Sequence, residues 1–500
     1  MPHLGNAMRR PLAAERVVIV SASVGAGHDG AAAELERRLV AAGLAVDRLD
    51  LLDVLPARLG RLVRDGYHRM LVRAPWAYQR IYSSTERAGG GGHVAKALLR
   101  SAEERLLRAL PADTGAVVST YPGASRVLGN LRLDGRLTVP VLTYLTDFSV
   151  HPLWVADGVD IHLALHAVPA AQARAAGARD VRLCGPVADP RFHPVDAPAR
   201  AAARARFGLP PTAPLALLVA GSWGVGPVRQ VARDLRDCGA AVPLVVCGRN
   251  DTLADQLRAD GIEHVHGWVD DMPGLMHAAD VLVQNAGGLT SLEAFATGLP
   301  VASYGCIPGH GLTNAAALDE AGVAAWIQDP AQLKHVLGEL IDGPRGLLQR
   351  EAGLALFADN PLGPHRGPAT ETAMICRAAV GSTAPTTVRP AAPFTARLAA
   401  RSAARPAVSP TARPATLPAV PLTAPPIARR VGRPAALRLA TTTVLACAVW
   451  AGAVGTAVAT TEGGPRLMHA IGHGLDLDDL GHTHHADHVS HGGFARGRHA

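Results

Sequence analysis

From residue 16 to about residue 380 the sequence alternates short apolar, β-rich runs with longer helical stretches, and this alternation constrains the fold more than any other feature. The runs fall at residues 17–20, 117–119, 141–145, 215–219, 244–247, 281–283 and 301–304. They are apolar without a break, so each strand needs cover on both faces. That pattern predicts an α/β fold, with parallel sheets between layers of helices. The tract is too long for one core, because domains usually hold roughly 100–200 residues. Pro- and Arg-rich sequence near residues 185–211 supplies a break, giving units at 1–185 and 186–380. The first sixteen residues lead straight into a strand and lack the apolar region and cleavage site of a signal peptide.

Beyond residue 380 the composition changes. Eleven prolines between Pro385 and Pro434 exclude a packed core, so residues 381–436 read as an extended or disordered linker. Residues 437–460 follow as a probable transmembrane helix. Their uncharged stretch, 439–460, is 22 residues long, enough to cross about 30 Å of hydrocarbon. Arg429, Arg430, Arg433 and Arg438 precede it, which places the N-terminal portion in the cytoplasm and predicts a single-pass protein of the cell membrane. The tail, 461–500, is rich in histidine. His484 and His488 have helical metal-ligand spacing, but glycines interrupt the tract and it has no cysteine, so it reads as a solvated tail.

The net charge of +7 does not describe the α/β portion. Residues 385–434 hold eight arginines and no acid, leaving the remainder close to neutral, so no nucleic-acid partner is expected. Six scattered cysteines with no CxxC pair give neither a disulfide framework nor a zinc ribbon. A second basic region is more structured. Residues 56–110 carry ten arginines and Lys96 against four acids, interleaved with Leu59, Leu62, Met70, Leu71, Trp76, Tyr78 and Tyr82. A basic amphipathic stretch of this kind suits an anionic membrane surface.

Three glycine-rich turns follow apolar strands. The first, Ser21-Ala22-Ser23-Val24-Gly25-Ala26-Gly27-His28-Asp29-Gly30, matches GxGxxG, with Asp47 and Asp50 at about the distance of a ribose-binding acid. It also places His28, a group able to take a proton near neutral pH, at a helix start. The second turn runs from Gly221 and Ser222 to Gly226. In the third, Gly287 and Gly288 open a helix whose free N–H groups suit a phosphate, and Glu293 lies one turn further on, within reach of ribose hydroxyls. Two such turns in the second unit and a histidine-bearing one in the first suggest a nucleotide on one side and a reacting partner on the other.

These stretches resemble the monogalactosyldiacylglycerol synthases and processive diacylglycerol glucosyltransferases, a lipid-directed branch of the GT-B glycosyltransferases. The match runs in order through residues 21–28; Thr146-Asp147-Phe148 with His151 and Trp154; and Gly185-Pro186-Val187 through Asp189-Pro190-Arg191-Phe192. It continues through Cys247-Gly248-Arg249-Asn250, Gly267-Trp268-Val269 with Met272, residues 287–294, and Ile307-Pro308-Gly309 with Asn314. The resemblance implies two Rossmann-like domains facing a cleft and an inverting transfer of a hexose from a UDP-sugar to a lipid such as diacylglycerol. Gly287, Gly288, Leu289 and Thr290 would contact the diphosphate, Glu293 the ribose, and Gly267, Trp268 and Val269 the uracil. Gly221, Ser222, Gly248, Asn250, Met272, His310 and Asn314 complete the implied donor side. Gly25, Gly27 and Trp154 lie on the acceptor side, where His28 is the first choice of catalytic base and Asp147 is either the base or the group that orients His28.

No cofactor is expected beyond the UDP-sugar itself, and no metal, since no acidic DxD-type motif stands in a suitable turn. The expected partners are the UDP-sugar, a lipid acceptor and an anionic membrane. One departure stands out: where the family has Gln-Glu after Pro-Gly, this chain has His310-Gly311. That leaves the donor sugar open. It also suggests one alternative, a non-catalytic, membrane-tethered nucleotide-sugar-binding module; the first glycine turn, Gly25–Gly30, separately suggests another, an NAD(P)-dependent oxidoreductase.

Overall fold

The computed structural model describes residues 16–55, 59–87, 93–358 and 371–381. The first part of the chain runs β1 (Arg16–Ser21), α1 (Ala26–Ala41), β2 (Ala45–Asp50), α2 (Leu51–Val54), α3 (Leu59–Arg73), α4 (Pro75–Arg87) and α5 (His93–Ala109). It continues with β3 (Thr114–Ser119), α6 (Pro122–Leu133), β4 (Val141–Tyr144), β5 (Ile161–Ala164), α7 (Ala167–Ala175) and β6 (Val181–Leu183). The second part runs α8 (Ala197–Arg206), β7 (Leu215–Val219), α9 (Val228–Cys238), β8 (Val242–Val246), α10 (Asp251–Ala259), β9 (His264–His266), α11 (Met272–Ala278) and β10 (Val281–Gln284). Then come α12 (Leu289–Thr297), β11 (Val301–Tyr304), α13 (His310–Glu320), β12 (Ala325–Ile327), α14 (Leu333–Ile341), α15 (Pro344–Ala358) and α16 (Glu371–Gly381).

Each half forms a six-stranded sheet, in the order β2-β1-β3-β4-β5-β6 and β12-β11-β10-β7-β8-β9. Every pairing is parallel. The central strands are buried on both faces: Val17, Val18, Ile19 and Val20 have no exposed surface, nor do Leu215, Ala216 and Leu217. Each buried Val, Ile or Leu side chain contributes about 1.5–3 kcal/mol. This explains why the strands read as unbroken apolar runs.

The strand order reverses between β1 and β3 in the first sheet and between β7 and β10 in the second. At such a switch point adjacent connections leave in opposite directions and open a crevice beyond the strand C-termini. The His28-bearing turn follows β1. The turns at Gly221 and Gly287 follow β7 and β10. All three glycine-rich turns thus sit at the two crevices, and the crevices share one cavity.

The tract 186–380 does not belong wholly to the second sheet. Met374, Ile375 and Ala379 of α16 pack in one core with Val17, Ile19, Leu35, Leu39 and Val118 of the first domain. Arg38 ties this return down with an ion pair to Glu371 (2.9 Å), whose side chain is buried. Apart from Gly381, the expected linker, membrane-spanning segment and His-rich tail (381–436, 437–460 and 461–500) lie outside the described residues. Among the described helices none is long and apolar enough to cross a membrane.

Candidate functional site

The two switch points enclose a cavity of about 390 Å³, within the usual range of ligand pockets. Its walls come from both domains. Gly25, Gly27, His28, Asp147 and Trp154 stand on one side. Gly221, Ser222, Gly248, Trp268, Val269 and Met272 stand on the other, together with Gly287, Gly288, Leu289, Thr290, Glu293 and His310.

His28 lies in the first turn of α1, which Gly25 caps without a side chain. Its Nδ1 is 2.9 Å from the Thr120 carbonyl and 3.0 Å from the Thr146 hydroxyl. A carbonyl only accepts, so Nδ1 carries the hydrogen and the Nε2 lone pair is left to take a proton. Tyr121 and Trp154 hold the ring at centroid distances of 5.4 and 5.9 Å. Asp147 does not orient His28. Its Oδ2 accepts from the Trp154 indole N–H (3.3 Å), and its Oδ1 faces the Asn314 amide at 3.4 Å. The orienting groups are Thr120 and Thr146, which the sequence reading missed. A main-chain carbonyl leaves no signature in a sequence.

The opposite wall is built to receive negative charge. Gly288 caps α12 and has no side chain to accept from the helix's first N–H groups. These groups and the positive end of the helix dipole therefore face the cavity. Gly287 holds φ at 80°, and a Cβ there would lie 2.6 Å from the Asn314 Cβ, so only glycine fits. Gln284 Oε1 accepts from the Ala286 N–H (2.8 Å) and the Gly287 N–H, fixing the turn from beneath.

Glu293 is on the cavity wall one turn along α12, and among the described residues no protein donor bonds its carboxyl. Burial, with a further push from Asp189, raises its pKa to about 8. A carboxyl held this way gains from a ligand that brings hydroxyl donors. Trp268 is not a core residue. It is 49% exposed, its indole N–H donates to Asp270 at 2.9 Å, and the Arg249 guanidinium lies 4.3 Å from its ring centroid.

Three expected donor-side residues do not line the cavity. Asn250 caps α10 by accepting from the Leu253 N–H at 3.0 Å, and its amide points at the carbonyls of Trp223 and Gly224. Asn314 is fully buried. Its Oδ1 accepts from the Ser149 N–H (2.8 Å) across the domain interface, and its amide donates to the Ala286 carbonyl at 3.0 Å. Both asparagines brace glycine turns from behind. Gly267 lies against the Gly248 carbonyl, with its Cβ position 3.6 Å away.

The residues on which the dinucleotide alternative rests have other partners. Asp47 is ion-paired with Arg16 (2.6 Å). Asp50, at the end of β2, caps α2 by accepting from the Leu52 N–H (2.8 Å) and also takes the Ser23 N–H (3.3 Å). Gly30 serves domain packing: a Cβ there would run into the Leu289 side chain of α12. The apolar and aromatic residues of the basic region divide by depth. Tyr78, Tyr82, Met70 and Leu71 are buried in the core, whereas Leu62, Val72 and Trp76 are exposed.

Two parallel-sheet domains with both switch points on one cavity make a GT-B-like fold. Residues 225–342 match the family described as "Glycosyl transferases group 1". The chain is similar to the "Processive diacylglycerol beta-glucosyltransferase" of Bacillus subtilis (strain 168), at 28% identity over 236 residues, 45% of this chain and 60% of that protein. The protein of the same name from Bacillus cereus (strain 03BB102) is 24% identical over 367 residues, 70% of this chain and 91% of that protein. Several matches are shorter, and against the Bacillus pumilus protein of that name the chain spans only 61% of the relative's length. Among solved structures, MurG of Acinetobacter baumannii overlaps 73% of this chain and 99% of that one, at 18% identity and a TM-score of 0.45.

Proposed function

We propose that the chain transfers a hexose from a UDP-sugar to the hydroxyl of a lipid, with diacylglycerol as the first candidate from the names of its relatives. The single observation that carries this is the placement of the His28 imidazole and the open N-terminus of α12 on one cavity, each on its own domain. In this reading the acceptor hydroxyl gives its proton to Nε2 of His28 as its oxygen attacks the anomeric carbon. The bond to UDP breaks on the opposite face, its electron pair passes to the β-phosphate oxygen, and the new charge meets the α12 N–H groups. The anomeric configuration inverts. Glu293 takes the ribose hydroxyls, and Trp268 edges the base. Holding both substrates in line supplies much of the acceleration, and a general base typically adds about 10²–10⁴-fold.

The acceptor is read as membrane-borne. Leu62, Val72 and Trp76 are exposed on α3 and α4 beside Arg61, Arg69, Arg73 and Arg80, none of them ion-paired among the described residues. Apolar tips among cations suit the boundary of an anionic leaflet. The cytoplasmic, membrane-anchored placement read from the arginines before residue 439 belongs to the same proposal.

The test is UDP release from UDP-glucose and UDP-galactose by the full chain, with and without diacylglycerol in mixed micelles. Acceptor-dependent release that falls about 10²–10⁴-fold in His28→Ala, with UDP affinity unchanged, is the expected result. UDP binding without transfer to any lipid identifies a non-catalytic binding module instead.

A further inference from the structure

The cavity wall that the first domain builds around His28 is largely apolar. Val24, Tyr67, Leu71, Pro122 and Leu153 line it, and Trp223 meets them from the second domain. The Trp223 ring lies 4.9 Å from that of His68 and 6.2 Å from that of Tyr67. Val24, Tyr67 and Leu71 also belong to the core beneath α3, so this wall continues a hydrophobic core up to the catalytic histidine. The same helix turns Leu62 and Val72 outward.

The polar side chains of this wall are already engaged within the protein. The Thr146 hydroxyl is 3.0 Å from His28 Nδ1. Ser149 Oγ donates to Asn314 Oδ1 at 3.1 Å and lies 2.9 Å from the Thr313 hydroxyl, which Tyr82 Oη approaches at 3.1 Å. His151 Nδ1 accepts from the Leu153 N–H at 3.1 Å, and its Nε2 is 3.2 Å from the Thr85 hydroxyl. The Tyr67 phenol is hydrogen-bonded to that of buried Tyr78. Asp147 accepts from Trp154 and faces Asn314 at the edge of the second domain. The N–H groups that open α1 lie against the start of α12: the Cβ position of Gly27 is 3.9 Å from the Leu289 nitrogen. What this wall keeps for an acceptor is Nε2 of His28, a single lone pair for a single hydroxyl proton.

We propose that the chain takes a lipid alcohol presenting one hydroxyl beside apolar surface, and that it adds one hexose and stops. This rests on the proposed function and deepens it on the acceptor side. For a second transfer the reacting hydroxyl belongs to the sugar just added, so that sugar must lie against the apolar wall and bring its other hydroxyls with it. Each hydroxyl buried without a partner costs about tenfold in affinity or more, and two of them set the second transfer at least about 10²-fold below the first. The Bacillus subtilis relative is processive by name, and this wall predicts the opposite behaviour here. Tyr67, Leu71 and Leu153 are the residues that determine this specificity.

The experiment gives the full chain, in mixed micelles, an excess of the better of UDP-glucose and UDP-galactose with either diacylglycerol or its purified monohexosyl product. The lipids are resolved by mass spectrometry over many turnovers. Diacylglycerol is expected to yield the monohexosyl lipid alone, and that lipid to react with a kcat/KM at least about 10²-fold lower. Dihexosyl and longer products formed at a comparable rate overturn the proposal. Leu71→Asn and Leu153→Asn each place an amide on the wall. They are expected to raise KM for diacylglycerol about tenfold, to leave UDP affinity unchanged and to narrow the gap between the two acceptors. Equal losses for both acceptors mean a merely structural role and overturn the assignment of these leucines. UDP binding with no transfer to any lipid removes the proposed function itself, and this proposal with it.

Discussion

Glu293 shows how one partly buried group makes ligand binding and stability depend on pH. Burial pushes its carboxyl up to about 8, and in the proposed donor site ribose hydroxyls would donate to the ionised form. Below that pH the protein must give up a proton to bind UDP, so affinity is expected to rise by up to about tenfold per pH unit and to level off above pH 8. Calorimetry in two buffers of different ionisation heat measures the released proton, and Glu293→Gln should abolish both the release and the slope. Stability moves the other way. Between the ordinary value of 4.5 and about 8 the folded chain holds a proton that the unfolded chain has lost, so the unliganded protein loses stability as pH rises through that window. A thermal melt series from pH 5 to 8 should therefore fall less in Glu293→Gln than in the wild type.

At the scale of elements, glycines and tyrosines let the two domains close on each other. Gly27 and Gly30 bring α1 against Leu289 at the start of α12, Tyr67 and His68 of α3 meet Trp223, and Tyr78, Gln79 and Tyr82 of α4 grip α13. Gly30→Ala places a methyl group in the Leu289 side chain and is expected to cost about 1–3 kcal/mol, seen as a lower Tm. Leu289→Ala in the same chain should recover part of that loss, whereas a penalty from α1 itself would leave it unchanged. Strands and glycine turns were legible in the sequence, because a strand covered on both faces must be apolar throughout and a tight strand-to-helix turn favours glycine. The purpose of each glycine was not legible. The GxGxxG spacing looks the same whether the third glycine admits a pyrophosphate or a leucine from another domain. Nor was the depth of Tyr78 and Tyr82, since a helix with an exposed apolar edge on one side and a second domain on the other is apolar on both.

For the whole molecule, the outward stripe on α3 and α4 and the inward grip on the donor domain belong to the same pair of helices. The expected signature is interfacial. With the full chain in mixed micelles, transfer should rise with the mole fraction of anionic lipid and fall with salt. Replacing Arg69 and Arg73 by Gln and Trp76 by Ser should flatten both trends while leaving UDP affinity intact. The return of α16 to the first sheet has its own consequence. Arg38, Glu34 and Glu371 form a part-buried cluster in which Arg38 bridges both carboxylates, so Glu371→Ala is expected to lower the Tm of the whole chain.

All of this depends on the α12 N-terminus and Glu293 being a nucleotide site. The most direct measurement is a calorimetric titration of the full chain with UDP and, in parallel, NADPH, using Glu293→Ala as the control. The account predicts that UDP binds, that binding is lost or strongly weakened in Glu293→Ala, and that NADPH gives no heat of binding. NADPH binding without UDP binding, or UDP binding indifferent to Glu293, would contradict it.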